Sequence, residues 1–379
     1  MMELVKLGEA CLVKRGTTIT KKQTIKGDVP VIGGGTKPTY FHNQSNRDSN
    51  CITISGSGAS AGFVNRWDGP IFASDCSTVE PKDEKQLHKF IYYFLLSRQE
   101  FIYENFRSGA AQPHVYAKDI ETLDYPIIPI ADQKQIVAKI DAAFAEISRL
   151  QNLVEKEILD AKSCHIQIEH NLISELLQFS KKAKLGEIAN FKNGINFKKN
   201  ESGKKYKIVG VGDFKSNFSI NNEELESISL TGLIDNSYCL KGGDILFVRS
   251  NGNKNLIGRS LLVDDLSETT TFSGFTIRCR LEKDDLLPEF VCRFLKSKTI
   301  RKQLIDGGSG TSINNLNQKM LSALEIPIFE PKDQKNILDK INSIESSFEK
   351  LVTTNQHKLE LLNSLKETIL TQEMQSGNS

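Results

Sequence analysis

A chain of 379 residues with 39% hydrophobic and 25% charged side chains is long enough for two or more domains with proper cores, and is neither disordered nor membrane-spanning. No apolar run approaches the roughly 18–20 residues a bilayer needs, and Met1-Met2-Glu3-Leu4-Val5-Lys6 lacks a signal peptide's hydrophobic region, so the cytoplasm is the expected location. The net charge of +2 conceals a division: residues 1–130 carry 15 basic and 14 acidic side chains, 131–180 carry 5 and 8, 181–330 carry 23 and 18, and 331–379 carry 6 and 7.

In chain order, the first segment opens with Lys6-Leu7-Gly8-Glu9-Ala10 and continues through short apolar runs broken by glycine. Val29-Pro30-Val31-Ile32 meets Gly33-Gly34-Gly35, and Cys51-Ile52-Thr53-Ile54 meets Ser55-Gly56-Ser57-Gly58, the pattern of strands ended by turns. One helix is predicted over Gln86–Phe106, apolar on one side, followed by the loop Ser108-Gly109-Ala110. From Asp132 to Leu177 there is neither proline nor glycine, and Ile136, Ile140, Ala143, Ile147, Leu150 and Val154 recur at four- and three-residue steps. That is the seam of a helix packed on another helix, about 65–70 Å long at 1.5 Å per residue. Further on, Ile158, Ala161, His165, Ile168, Leu172 and Leu176 continue the seam with a slipped heptad.

The second half restarts the first. Lys184-Leu185-Gly186-Glu187-Ile188 repeats the opening at a shift of 178, and Ile326-Pro327-Ile328 before Asp333-Gln334-Lys335 repeats Tyr125-Pro126-Ile127 before Asp132-Gln133-Lys134 at a shift of 201. The ends of the unit are alike and its middle has gained about 23 residues, so the repeat is of whole domains. Lys207–Val211 and Asp244–Val248 are its predicted strands, Glu289–Ile305 its helix and Gly307-Gly308-Ser309-Gly310 its loop. A second rod runs from Asp333 to about Glu373, with Ile337, Ile341, Ile344, Phe348, Leu351, Leu362, Leu365 and Ile369 on its seam and the polar Asn355 and Lys358 among them. The aspartates place carboxylates where helix N-termini offer unpaired N–H groups.

Signals for catalysis are weak. Gly56–Gly62 is glycine-rich but leads into no helical pattern, so it lacks the context of a dinucleotide cradle. There is no Asn-Pro-Pro-aromatic tetrapeptide and no G-x-x-x-x-G-K-[ST] loop, and Pro81-Lys82-Asp83-Glu84-Lys85 reads better as a charged helix start than as a magnesium site. Seven cysteines without a C-x-x-C pair argue against structural metal; Cys11, Cys51, Cys76 and Cys239 read as buried small hydrophobes.

Binding groups are better represented. Arg249, Asn251, Asn253 and Lys254 lie in one loop after an apolar strand, carrying the guanidinium, amides and ammonium that pair with base edges and phosphates. Lys198, Lys199 and Lys205 suit backbone contact. In the first segment the comparable places are Lys37, Tyr40, Ser57, Asn65, Arg66, Gln112 and His114; Asn314 and Asn317 repeat the last of these sites.

The Lys-Leu-Gly-Glu openings, the strands Gly243–Arg249 and Ile52–Gly62, Ser273-Gly274-Phe275, Asn315-Leu316-Asn317 and the closing Ile326-Pro327-Ile328 with Asp333-Gln334-Lys335 together resemble the specificity subunit of type I restriction–modification systems, over essentially the whole chain. The expected fold class is α+β: two globular α/β target-recognition domains in tandem repeat, separated by two long helices forming an antiparallel coiled coil. The expected boundaries are 1–130, 131–180, 181–330 and 331–379, the second and fourth being spacer helices. The resemblance implies a non-catalytic chain that reads one half of a split DNA site with each domain. Its implied partners are two methyltransferase subunits and two motor–nuclease subunits, which hold the S-adenosylmethionine, ATP and magnesium. Aspartate stands in Ala131-Asp132-Gln133 and Lys332-Asp333-Gln334 where many relatives carry glutamate, which leaves capping intact. The rival expectation is a self-contained DNA methyltransferase or nuclease.

Overall fold

The computed structural model describes residues 3–109, 111–197, 202–214, 217–306 and 315–376. The chain divides into two compact units, one of Met1–Lys156 with Thr354–Ser379 and one of Glu157–Thr353. Each long helix therefore contributes to both.

The first unit contains β1 (Leu4–Lys6), β2 (Cys11–Arg15), β3 (Val29–Ile32), β4 (Tyr40–His42), β5 (Cys51–Ser55), β6 (Val64–Trp67), β7 (Phe72–Ala73) and β8 (Cys76–Pro81). Helices α1 (His88–Ser97) and α2 (Gln99–Phe106) follow, then β9 (Asp124–Pro126) and the start of α3 (Ile130–Phe179). A four-stranded sheet has the order β2-β8-β5-β6, a three-stranded sheet the order β4-β3-β7, and β1 pairs with β9. All five residues of β5 are buried, the polar Thr53 and Ser55 among them.

The second unit repeats this. After α3 come β10 (Lys181–Lys184), β11 (Ala189–Asn193), β12 (Lys204–Val209), β13 (Glu226–Leu230), β14 (Ile245–Val248), β15 (Ser260–Leu262), β16 (Thr270–Phe272) and β17 (Thr276–Leu281). They form sheets β11-β17-β14-β15 and β13-β12-β16, with β10 against β18 (Glu325–Ile328). Helices α4 (Pro288–Lys296), α5 (Lys298–Asp306) and α6 (Pro331–Ser376) are the longer helices that follow. Strand registers locate the extra residues. Val31 pairs with Tyr40 and Ile208 with Glu226, so the offset grows from 177 to 186 across the loop between these strands. Ile52 and Ile245, which face Val79 and Cys279, stand 193 apart, so the next connection is longer as well.

The single helix expected in each segment is two. At Arg98 the backbone leaves the helical region, with φ −100° and ψ 9°. Ser297 is extended, and its hydroxyl accepts from the N–H of Ile300 at 3.3 Å, starting the next helix. The long helices outrun their expected ends by a few residues, at 50 and 46 residues.

Each unit ties its sheets to a long helix through a buried glutamine. The carboxamide of Gln133, 0% exposed, accepts from the N–H of Leu87 at 2.7 Å and donates to the carbonyls of Lys85 and Ile128 at 2.9 and 2.8 Å. Gln334, also 0% exposed, accepts from Leu287 at 2.8 Å and donates to Asp285 and Phe329 at 2.7 and 2.8 Å. Around this clamp the first core packs Phe90, Phe94 and Tyr125 against Ile136, Val137 and Ile140 of α3 and Leu370 and Met374 of α6. The second packs Phe290, Phe294 and Ile326 against Ile173 and Leu338.

The helices run antiparallel within each unit. In the first, Lys139 pairs with Glu373 at 3.3 Å while Gln151 meets Asn363 at 2.8 Å. In the second, the His165 ring stacks on Phe348 at 4.6 Å, and Ile173 and Leu338 share a core. Ile136, Ile140, Ile147, Val154 and Ile341 are buried, and Leu150, Ile337, Ile344 and Phe348 half-buried. Leu351 is not on the seam: it is 43% exposed, and Leu365 and Ile168 are exposed too. From Ile341 the inward positions run through Glu345, Phe348, Val352, Asn355, Leu359 and Leu362, a strict four–three alternation that turns Leu351 and Leu365 outward. Asn355 is buried as its seam position requires, whereas Lys358 is exposed.

Candidate nucleic-acid interface

The loops that carry Lys37, Ser57 and Gln112 meet at one frame at the end of β5. The N–H of Gly56 donates to the carbonyl of Asp75 at 3.0 Å, and the carbonyl of Gly56 accepts from Val115 at 3.1 Å. Gly58 donates to Pro113 at 2.9 Å, and Ser57 forms an isolated β-bridge with His114. The Ser57 hydroxyl donates to the Asp75 carboxylate. The loop after β3 joins them: the Ser55 hydroxyl donates to Gly35 at 3.1 Å, and a Cβ on Gly34 would lie 2.4 Å from the Ser57 carbonyl oxygen, so only glycine fits.

Ser57, Asn65, Gln112, His114 and the Lys37 loop therefore come together. Asn65 donates to the Thr36 carbonyl at 3.3 Å, Lys37 and Gln112 are exposed, and the His114 ring stacks on Tyr116. Tyr40 is half-buried in β4, opposite Val31. Arg66 lies apart. Side chains alternate along β6, so it leaves the loop side and bonds Asn50 at 2.6 Å and Asp68 at 2.7 Å.

The second unit builds the same frame with other side chains. Arg249 stands where Gly56 does: its N–H donates to the Phe275 carbonyl and its carbonyl accepts from Leu316, both at 2.8 Å. The Asn251 side chain accepts from the N–H of Asn253 at 2.8 Å, and that of Asn253 from Asn255 at 3.1 Å, so each oxygen closes a turn. Asn317 caps the short helix Gln318–Ser322, accepting from Met320 at 2.9 Å, and Lys205 is exposed on β12. Lys198, Lys199 and Asn314 lie outside the described residues, as does the side chain of Lys254.

Two arginines that sequence reasoning passed over brace these loops from behind. Arg107 donates to the carbonyls of Ala61 and Ala59 at 2.7 and 3.4 Å and lies 3.7 Å over the Tyr103 ring. Arg301 donates to the Asn255 carbonyl at 2.7 Å, with Arg259 on the same oxygen at 3.3 Å. Burial, and then the neighbouring Arg259, lower the pKa of Arg301. Their only sequence signal is position: Arg107 follows the last residue of α2, and Arg301 lies in the first turn of α5.

The acidic turn before α1 is structural. The Asp83 carboxylate accepts from the N–H of Lys85 at 2.9 Å, and Lys82 reaches the Gly8 carbonyl. Among the described residues no group of three or more His, Cys, Asp or Glu is placed to hold a metal, and no helix is long and apolar enough to cross a membrane.

One backbone frame built twice and furnished with different polar loops defines a reader with two recognition surfaces. Residues 1–159 and 180–361 match the type I restriction modification DNA specificity domain, and the chain belongs to that family, as the DNA-recognising, non-catalytic specificity subunit of such a system. It is 24% identical over 322 residues to the type I restriction enzyme EcoKI specificity subunit of Escherichia coli, covering 79% of this chain and 67% of that protein. Over 283 residues it is 24% identical to the StySPI specificity subunit of Salmonella potsdam, covering 69% and 59%. The fold is similar to that of HsdS from Thermoanaerobacter tengcongensis, with TM-score 0.58, 16% identity and coverage of 99% and 97%. It is also similar to a chain from a structure of complex assembly in a type I system, with TM-score 0.66, 15% identity and coverage of 98% and 97%.

Proposed function

We propose that this chain reads a divided DNA target, one half-site with the loops of each unit, and carries two methyltransferase and two motor–nuclease subunits in the cytoplasm. S-adenosylmethionine, ATP and magnesium belong to those partners. The observation that carries the reading is the paired frame, Val115 to Gly56 to Asp75 and Leu316 to Arg249 to Phe275, which holds backbone constant while the side chains differ. Ser57, Asn65, His114, Arg249, Asn251 and Asn253 present hydroxyl, amide, imidazole and guanidinium groups suited to base edges. Lys37, Lys198, Lys199, Lys205 and Lys254 supply the phosphate contacts that make affinity fall with salt. Tyr40, Gln112 and Asn317 add polar groups beside these loops.

Gel binding with the methyltransferase partner tests this: a preference for one DNA sequence over shuffled DNA is expected, and equal affinity for both contradicts it. The chain by itself, incubated with DNA, labelled methyl donor and magnesium, should transfer no methyl group and cut no strand. Either activity would favour a self-contained enzyme.

A further inference from the structure

Antiparallel pairing of β14 with β17 places Val248 opposite Thr276, and the bond from Arg249 to the Phe275 carbonyl at 2.8 Å carries the register one residue further. Arg249 and Phe275 thus oppose each other one step beyond the ladder, joined by that one bond, since the Arg249 carbonyl accepts from Leu316 at 2.8 Å and the Phe275 N–H donates to the Ser273 hydroxyl at 3.3 Å. By alternation the pair follows the buried Phe247 and Ile277 on their face of the sheet, one step past the core. The Arg249 guanidinium lies against the Gly274 carbonyl at 3.5 Å, and the Phe275 ring is 59% exposed. The tip is firmly held, since Gly274 donates to the Ile195 carbonyl at 2.6 Å. A ring held outward on a fixed turn at the strand end that carries Arg249 has little ordering left to lose when it meets a ligand.

The equivalent pair in the first unit is Gly56 and Asp75. A Cβ on Gly56 would fall 3.0 Å from the Asp75 carboxylate oxygen. A carboxylate at the tip thus goes with glycine on the strand, and an outward ring goes with arginine.

We infer that Arg249 and Phe275 form the specificity-determining pair of the second unit, reading a guanine and the 5-methyl group of an adjacent thymine in the major groove. Arginine matches the O6 and N7 acceptors of guanine, and an apolar side chain matches the thymine methyl. Asp75 would accept from an exocyclic amine instead, so the two half-sites differ at this place. The inference rests on the DNA-reading function proposed above.

The test uses the full chain with its methyltransferase partner and a duplex carrying the site recovered from modified genomic DNA. Replacing the thymine by deoxyuridine should weaken wild-type binding about fourfold, the worth of one buried methyl group near 0.8 kcal/mol. Binding by Phe275→Ala should not respond to that replacement. Replacing the guanine by 7-deazaguanine should cost about tenfold for wild type and little for Arg249→Ala. Sequenced modification sites should relax at adjacent positions of the same half-site in both variants, with unchanged thermal melting as the folding control. Sequence-specific binding that ignores every deoxyuridine substitution, or a Phe275→Ala variant that still senses the methyl, overturns the pair; binding with no sequence preference overturns the underlying function instead.

Discussion

Gln133 and Gln334 each satisfy one backbone donor and two backbone acceptors that the fold has removed from water. An apolar replacement of the same size leaves all of them unpaired, at about 1–3 kcal/mol for each buried group. Gln133→Leu is therefore expected to destabilise by on the order of 3 kcal/mol in urea unfolding, and Gln334→Leu similarly. A loss below about 0.5 kcal/mol, the scale of a surface substitution, would show that the clamp is incidental. The cysteines offer a second check. Burial pushes the thiols of Cys11, Cys51, Cys76 and Cys292 up to about 12, whereas Cys164 is exposed on α3 and Cys239 half-buried. At pH 8 a thiol reagent should modify Cys164 first in the native chain and reach the buried Cys11, Cys51, Cys76, Cys279 and Cys292 only after denaturant is added. The glutamines could be seen in the sequence as a repeated Asp-Gln-Lys, yet their work could not, because their partners Leu87 and Leu287 lie 46 and 47 residues away. Arg107 and Arg301 escaped for the same reason. A contact to a distant carbonyl leaves no local pattern.

At the level of elements, the long helices were plain in the sequence because periodicity sustained without proline or glycine has few alternatives. Their seam was less plain. Leucines at 351 and 365 made a better apolar pattern than Val352 and Asn355, but burial follows the four–three alternation set where the helix docks, not the largest side chain. Leu351→Asp should therefore change the stability of the isolated chain by less than about 0.5 kcal/mol, while Val352→Asp, which puts a charge on the packed side, should cost several times more. The reverse order in thermal unfolding would restore the seam read from the sequence. The helices also carry a functional expectation. Removing the seven residues Glu155–Ala161 should change the number of base pairs between the half-sites and leave the half-sites themselves unaltered; an unchanged modification motif would count against a measuring role. The strands show the converse: buried β5 and β14 were read directly, while the break at Ser297 was hidden within a continuous apolar face.

For the whole molecule, duplication is what made function readable. Equivalent backbone bonds at Gly56 and Arg249 mark equivalent places, and the added residues after β12 and after β13 fall in the connections, where a recognition surface can change without disturbing a core. The residues that choose the bases are the least legible part, since the same frame accepts glycine with aspartate or arginine with phenylalanine. The account is tested most directly by sequencing modified adenines in cells that carry this chain and its methyltransferase partner. It predicts a motif of two short defined parts separated by a fixed unspecified gap, absent when this chain is deleted. A single continuous motif, or modification that persists without the chain, would contradict it.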